Sequence, residues 1–566
     1  MRPWFERDRD RYQRERSYWI SNGFTESGRS SGELSYAGTT TVRVGGPDGL
    51  ARSDFKLRVV YPRGFPYLAP TVEFLDPPIR RNRHQSPDGE PCLFPPRDWT
   101  EAVEAPDLRK AIDRWLRGYI TGSFPRELAL YELPEYFVPG ALTVLMAPPF
   151  FDAIAGREWG RFGVLVADGP ELGVLATVDG KRVGTELVDG LRLGALPTKP
   201  KNGRWYRVEH EPPISLRTTS DLQSYLVDEG QSLKVPRGPQ EHGLVGLVFT
   251  DSVLDQERLL LFDYSSSGKG QRPARGWPLR APATYVVSRH ELFRRLEGVR
   301  QTETLADQRL LLLGAGAIGS TLAETLTREG VGALSICDPD RMRPGNVARH
   351  GLDLFASGQN KAIALEAALS RLDPFLETSV ETSGATLHDP AALANLMSVD
   401  HPVLAIDVGV VAIGEDVTEA LICQAAADND SRNAPLLFVR TVHHGAVARV
   451  MLWRPGRGDA CIECLRLHQE DDHEDLITVP DPEPRLIHDD GCATPAEPGA
   501  GIAMQQAAVL AAKRALEVLE GRDGEVNHWV WVERAVPEAA DTRLHEADRL
   551  YSFRLDRHPE CGVCDV

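Results

Sequence analysis

Six of the chain's eight cysteines sit where sulfur could do chemistry. Cys461-Ile-Glu-Cys464 and Cys561-Gly-Val-Cys564 form two CxxC pairs far apart in sequence. Four thiolates in two such pairs suit a closed tetrahedral zinc (Zn2+) site, structural because it leaves no open position for catalysis, in preference to a redox pair. Cys92 stands alone in a loop from Asp76 to Trp99 that is thick with Pro, Arg and Gly. A lone cysteine in an exposed loop has little packing use, so the residue reads as a nucleophile. Cys492 lies in Asp489-Asp490-Gly491-Cys492-Ala-Thr-Pro495, ahead of an apolar helix expected over Ile502 to Leu519. Asp489 and Asp490 oppose thiolate formation there, whereas a helix amino terminus favours it, and a Gly/Pro loop gives an acyl acceptor the freedom it needs. Cys337 and Cys423 fall within apolar strand or helix patterns and read as core.

A second constellation surrounds a glycine loop. The apolar run Leu310 to Leu313 leads directly into Gly314-Ala-Gly316-Ala-Ile-Gly319 and an expected helix over Thr321 to Arg328. Backbone amides at such a helix start bind phosphate. Asp338 follows nineteen residues after Gly319, at the end of the expected second strand Ala333 to Cys337, where a carboxylate can hold ribose hydroxyls. The glycine pattern alone serves a dinucleotide-dependent dehydrogenase equally well. Asn346, Arg349 and Lys361, which follow Asp338-Pro-Asp340, fit a site that makes an acyl-adenylate, because cations must neutralise a triphosphate and a carboxylate must hold magnesium. The bland alternative for Arg349 and Lys361 is a solvated helix face.

These residues need several cores to position them, since 566 residues exceed what one core sustains. Residues 1 to about 22 read as a surface helix packing one aromatic edge. Thr40 to Val44, Phe55 to Tyr61 and Thr71 to Phe74 read as an antiparallel meander, and Asp107 to Tyr119 as a helix capped by Asp107. The expected division is an α+β domain over 1–140, a mixed linker domain over 141–285, and an α/β domain over 286–566, where strand, glycine loop and helix alternate. Apolar residues make up 42% and charged residues 26%, ordinary for a globular protein. A net charge of −18 argues against nucleic acid as a partner. The charged start and the absence of an eighteen-residue apolar run lead to the expectation of a cytoplasmic protein without membrane contact.

The order glycine loop, Asp-x-Asp, Asn-x-x-Arg and Lys resembles the ThiF, MoeB and ubiquitin-activating superfamily over roughly residues 290 to 566. The resemblance implies a Rossmann-like adenylation domain that uses ATP and magnesium (Mg2+). It implies ribose binding by Asp338, phosphate binding by Asn346, Arg349 and Lys361, magnesium binding by Asp407, the thioester at Cys492, and a homodimer. At the magnesium position the family usually shows Thr-Asp-Asn, whereas this chain reads Ala-Ile-Asp407-Val-Gly.

The first 140 residues resemble a ubiquitin-conjugating domain. The matching pieces are Tyr61-Pro62, Pro66, Pro70, Val72-Glu-Phe74, His84, Gly89-Glu-Pro-Cys92-Leu93 and Trp99. His84-Gln-Ser86 stands eight residues before Cys92 where that family has His-Pro-Asn, so the usual asparagine is missing and His84 reads as a loop brace. Fusion of the two kinds of domain resembles the CD-NTase-associated protein 2 family of antiphage CBASS. That resemblance implies an ATP-dependent conjugating transferase acting on a protein with a glycine-like carboxy-terminal tail, a cGAS-like nucleotidyltransferase or a ubiquitin-like protein, and on target lysines. The alternatives are an enzyme of another bacterial ubiquitin-like operon, a sulfur-carrier adenylyltransferase, and a scaffold with degenerate sites.

Overall fold

The computed structural model describes residues 3–30, 32–46, 49–94, 98–124, 133–167, 171–191, 198–232, 242–251, 255–265, 276–397, 406–428, 434–470, 499–533 and 546–564. The chain divides into two compact units, one of residues 1–183 and 199–285, the other of 184–198 and 286–566.

In the first unit, helices Trp4–Arg7 and Arg9–Ser21 precede a four-stranded antiparallel sheet of β1 (Thr25–Arg29), β2 (Leu34–Gly46), β3 (Gly49–Tyr61) and β4 (Thr71–Asp76), in that order. The expected single amino-terminal helix is broken at Asp8, whose side chain accepts from the Arg11 N–H and so starts the second helix. Trp4, Phe5 and Trp19 are buried, and the Trp19 indole donates to the Tyr61 hydroxyl (2.7 Å), which donates to Glu15 (2.7 Å). The helix Ala105–Thr121 covers the sheet with Leu108, Ile112, Trp115 and Leu116. Its N-cap is Glu104, and Asp107 lies in the first turn, one turn later than a cap. A carboxylate there still favours the helix through the dipole.

Residues 139–286 build a mixed eight-stranded sheet. Its strands are β5 (Pro139–Met146), β6 (Trp159–Ala167), β7 (Leu172–Val178), β8 (Lys181–Arg182), β9 (Thr198–Arg207), β10 (His242–Asp251), β11 (Gln256–Ser265) and β12 (Ala281–Val286), ordered β11-β10-β9-β6-β7-β5-β12 with β8 beside β7. Tyr206, Val245, Leu247, Leu260 and Phe262 bury one face against the helix Thr219–Asp228, which carries a Thr218/Asp221 capping box. This stretch has a core of its own.

The second unit is an eight-stranded sheet ordered β15-β14-β13-β16-β17-β18-β19-β20. The strands are β13 (Arg309–Leu313), β14 (Ala333–Cys337), β15 (Glu377–Glu381), β16 (Val408–Val411), β17 (Leu436–Val442), β18 (Val447–Trp453), β19 (His528–Val532) and β20 (Arg549–Phe553). The first five pair in parallel and the rest antiparallel. Leu310, Leu312 and Val410 pack on one face with Leu322 and Ala511, while Leu311, Leu313 and Val411 pack on the other with Ile422 and Cys423. Coverage of both faces is why β13 is a continuous leucine run rather than an alternating strand. Neighbours β14 and β16 flank β13 on opposite sides, so the crevice beyond Leu313 is a topological switch point, where ligands bind in such sheets.

Candidate active site

The glycine loop occupies that crevice. Gly314 has φ +96°, and a Cβ there would stand 2.7 Å from the Ala412 carbonyl oxygen. A Cβ on Gly319 would fall 1.9 Å from the Gly314 carbonyl oxygen, so both positions require glycine. The helix Ala317–Arg328 starts from Gly316 with no side-chain cap, and space around the Gly316 Cα is open. Its first-turn amides therefore face an open cradle that fits a polyphosphate.

Asp338 closes one side of the cradle. Its carboxylate accepts from the Ala315 N–H (2.7 Å) and the Asp340 N–H (2.8 Å), which fixes both the loop and its own rotamer. Burial raises its pKa, and Lys361 opposes that rise. Lys361 heads a helix capped by Asn360 and reaches Asp340 (2.9 Å), while the Asn360 amide donates to the Asp338 carbonyl (2.8 Å). Asn346 accepts from the Arg343 N–H (3.1 Å), and its carbonyl accepts from the Arg349 N–H (3.0 Å). The turn that carries both residues is tied to the loop by His350, whose Nε2 lies 2.8 Å from the Ala315 carbonyl oxygen. Burial lowers the His350 pKa to about 4, so it braces the loop as a neutral ring. Gly314, Gly316, Gly319, Asp338, Asn346, Arg349 and Lys361 thus gather on one edge of the sheet.

Asp407 does not join them. It precedes β16, its N–H donates to the Arg309 carbonyl, and its carboxylate accepts from the Arg309 N–H (2.8 Å). Arg309 opens β13 and Gly314 follows its other end, about 13 Å away at ~3.3 Å per residue. The magnesium role expected for Asp407 is therefore corrected: in a parallel sheet the entering and leaving ends of a strand lie on opposite edges, and Asp407 is at the entering end. At the leaving end stand Glu415 and Asp416, directly after Gly414 and at the start of the helix Asp416–Asp428. Asp416 is 84% exposed and pairs with Arg440 (2.6 Å). Arg440 also pairs with the fully buried Glu419, which accepts from the Gly414 N–H (3.0 Å). The sequence signal for these residues is a Gly-Glu-Asp run at a strand-to-helix turn.

The four CxxC cysteines converge. All their sulfurs lie within 4.8 Å of one another, with Cys461–Cys464 at 3.8 Å, Cys461–Cys561 at 3.7 Å and Cys464–Cys564 at 3.5 Å. Tetrahedral Zn–S bonds of ~2.3 Å require sulfur separations of about 3.8 Å, so the thiols fit zinc. Cys337 and Cys423 are buried among apolar side chains.

In the other unit, Cys92 ends a tight hairpin. Its N–H donates to the His84 carbonyl (2.8 Å), Gln85 bridges Pro91, the Ser86 N–H donates to the Glu90 carbonyl (2.7 Å), and Gly89 turns the chain at φ +99°. The His84 carbonyl also accepts from the Trp115 indole (2.8 Å), and the His84 ring stacks on Phe124 at 4.0 Å. Asn82, overlooked in the sequence, holds the turn by accepting from the His84 N–H (2.9 Å). Cys92 is part-exposed, and desolvation pushes its thiol up to about 11. Cys492 lies outside the described residues.

Residues 287–554 match the ThiF family. The carboxy-terminal half carries a ThiF domain. A Sinorhizobium fredii (strain NBRC 101917 / NGR234) protein, "Uncharacterized protein y4qC", is 25% identical over 89% of this chain and 88% of its own length. "ATP-dependent ubiquitin transferase-like protein Cap2" of Pseudomonas aeruginosa (strain BWHPSA011 / Pa011) is 27% identical over 47% of this chain and 44% of its own. Cap2 of Enterobacter hormaechei subsp. hoffmannii (strain UCI 50) is 41% identical over 12% of each. The chain thus resembles Cap2-type fused enzymes, while the matched segments span less than half of these Cap2 proteins. Among solved structures, E. coli MccB with ATP aligns at 18% identity and TM-score 0.34, over 46% of this chain and 68% of that one. In the ThiF domain, the glycine loop, Asp338 and Lys361 form a hydrogen-bonded polar site at the leaving end of β13.

Proposed function

We propose that this protein is an ATP-dependent adenylating enzyme of the ubiquitin-activating type that also conjugates its product. The supporting observation is the ThiF domain's uncapped helix start, flanked by Asp338, Arg349 and Lys361. A carboxylate at the carboxy terminus of a protein substrate attacks the α-phosphorus of ATP, and pyrophosphate leaves. Magnesium, when bound, neutralises phosphate charge, and Asp416 and Glu415 at the leaving end of β16 would hold it by giving up their contacts with Arg440 and the Thr418 hydroxyl.

The Cys492 thiolate then attacks the acyl-adenylate carbonyl and AMP leaves. Cys492 precedes Gly499 by seven positions, a tether of at most about 25 Å. Gly499 lies beside Arg349: a Cβ placed on it would stand 3.9 Å from the Arg349 Nη1. Tether and anchor support attack at this site. Transthiolation moves the acyl group to Cys92 with release of the Cys492 thiolate, and a lysine amine takes it from Cys92 as an amide. The hairpin, meander and covering helix around Cys92 support the ubiquitin-conjugating reading of the amino-terminal domain.

The Cap2 resemblance directs the substrate search to a cGAS-like nucleotidyltransferase of an antiphage CBASS system, with a ubiquitin-like protein as the alternative. A homodimer is part of the proposal, and Leu354 and Phe355 (91% exposed) offer apolar surface for it. ATP–pyrophosphate exchange that depends on the substrate's intact carboxy terminus tests the adenylation step. No exchange with either substrate class overturns it.

A further inference from the structure

The Cys92 hairpin is secured by the middle domain as well as by its own. Arg83, within the turn that starts the hairpin, sends its guanidinium into carboxylates of the 139–286 sheet region. Nη1 lies 2.7 Å from Asp251 Oδ2 and 3.4 Å from Glu211. Arg83 is 6% exposed and Asp251 1%, so the pair is desolvated and directional. Asp251 ends β10, a strand paired along its length with β11 and held from the other side by β9. Next to this pair, Tyr136 lies on the turn Leu133–Tyr136 that leads into β5, where Leu133 and Phe137 pack in the middle-domain core; its buried hydroxyl donates to the Gln85 carbonyl and lies 3.2 Å from the Asn82 carbonyl. Arg83 and Gln85 immediately flank His84, with Asn82 one position further out, and the His84 carbonyl carries the Cys92 N–H.

We infer that Arg83, Asp251 and Tyr136 form a brace through which the middle domain sets the position of Cys92, making them positioning residues for acyl transfer. The inference rests on the proposed role of Cys92. A buried ion pair is costly to form and costly to break singly, so it fixes one geometry in preference to its neighbours. Transfer between thioesters is sensitive to that geometry, since an ångström of misplacement costs orders of magnitude in rate.

The test uses the full chain. Tyr136→Phe removes one hydroxyl with little change in packing. Arg83→Gln/Asp251→Asn removes both buried charges together and leaves only the part-exposed Glu211 carboxylate, which water can reach, and Arg83→Lys keeps the charge. Hydrogen exchange at the Ser86, Gly89 and Cys92 amides, and alkylation of Cys92 by iodoacetamide, report the hairpin without any substrate. Thioester loading of Cys92 and ATP–pyrophosphate exchange report the two chemical stages.

The expected result for Tyr136→Phe and the double variant is faster exchange at those amides, with Cys92 loading down by about tenfold to a hundredfold and pyrophosphate exchange unchanged. Arg83→Lys should recover most of the loading. Wild-type amide protection and wild-type loading in the double variant would overturn the brace. If the wild-type chain forms no thioester, the functional reading fails, and amide exchange and alkylation alone decide whether the brace exists.

Discussion

The glycine-loop cradle and the Cys92 hairpin treat charge in opposite ways. At the cradle, Asp338, Lys361 and an uncapped helix start are oriented in advance, each held by backbone or side-chain partners. At the hairpin, the chain fixes the backbone around Cys92, but among the described residues no charged group or hydrogen-bond donor stabilises the sulfur's anion, and burial raises the thiol to about 11. Preorganised dipoles are useful where charge develops on a bound ligand. A resting thiolate beside solvent invites oxidation or stray alkylation. On the proposed function, the first region acts when its ligand arrives, and the second stays inert until an acyl donor and a general base arrive together.

That contrast can be broken by experiment. Cys92→Ala should abolish amide-linked product while pyrophosphate exchange continues, measured by gel shift and exchange assay. Loss of both would place Cys92 in the adenylation step. Lys361→Ala and Asp416→Ala should each lower pyrophosphate exchange by about a hundredfold to a thousandfold, and neither should alter iodoacetamide labelling of Cys92. For the hairpin, a raised pKa means that the thiolate is scarce at neutral pH and grows as pH rises towards 11. Cys92 labelling should therefore accelerate about tenfold per pH unit between pH 7 and 9. A plateau already reached at pH 7 would show an activated sulfur and erase the contrast. Chelation of zinc, or Cys561→Ser, should remove about 3 kcal/mol or more from the second unit and lower its Tm by about 6–12 °C, while Cys92 labelling is unchanged. The smallest effect is expected at Asp407→Ala, which should leave pyrophosphate exchange within about twofold and cost about 1 kcal/mol through the lost Arg309 hydrogen bond.

How far the sequence reveals each region follows from the range of the interactions. The β13–glycine loop–helix unit is local, and leucines, glycines and Asp338 announce it in order. The CxxC pairs are equally legible because metal spacing is local within each pair. Strand β1, Thr-Glu-Ser-Gly-Arg, is exposed along its whole length and carries no apolar alternation to betray it. Asp407 misleads because the apolar run Val403-Leu-Ala-Ile406 reads as a strand that ends at the acid, whereas the strand is Val408–Val411 and hydrogen bonding to Arg309 puts the acid before it. The Arg83–Asp251 pair joins residues 168 apart and leaves no periodic trace. Asn82 sits two residues before His84, where its bracing role depends on a turn that only the folded loop defines.

The most direct measurement is intact mass spectrometry of the full chain with ATP, magnesium and the candidate substrate, compared across wild type, Cys92→Ala and Cys492→Ala. The account predicts a thioester on Cys492 when Cys92 is alanine, none on Cys92 when Cys492 is alanine, and both in the wild type. A thioester that forms on Cys92 at the wild-type rate without Cys492 would contradict the relay.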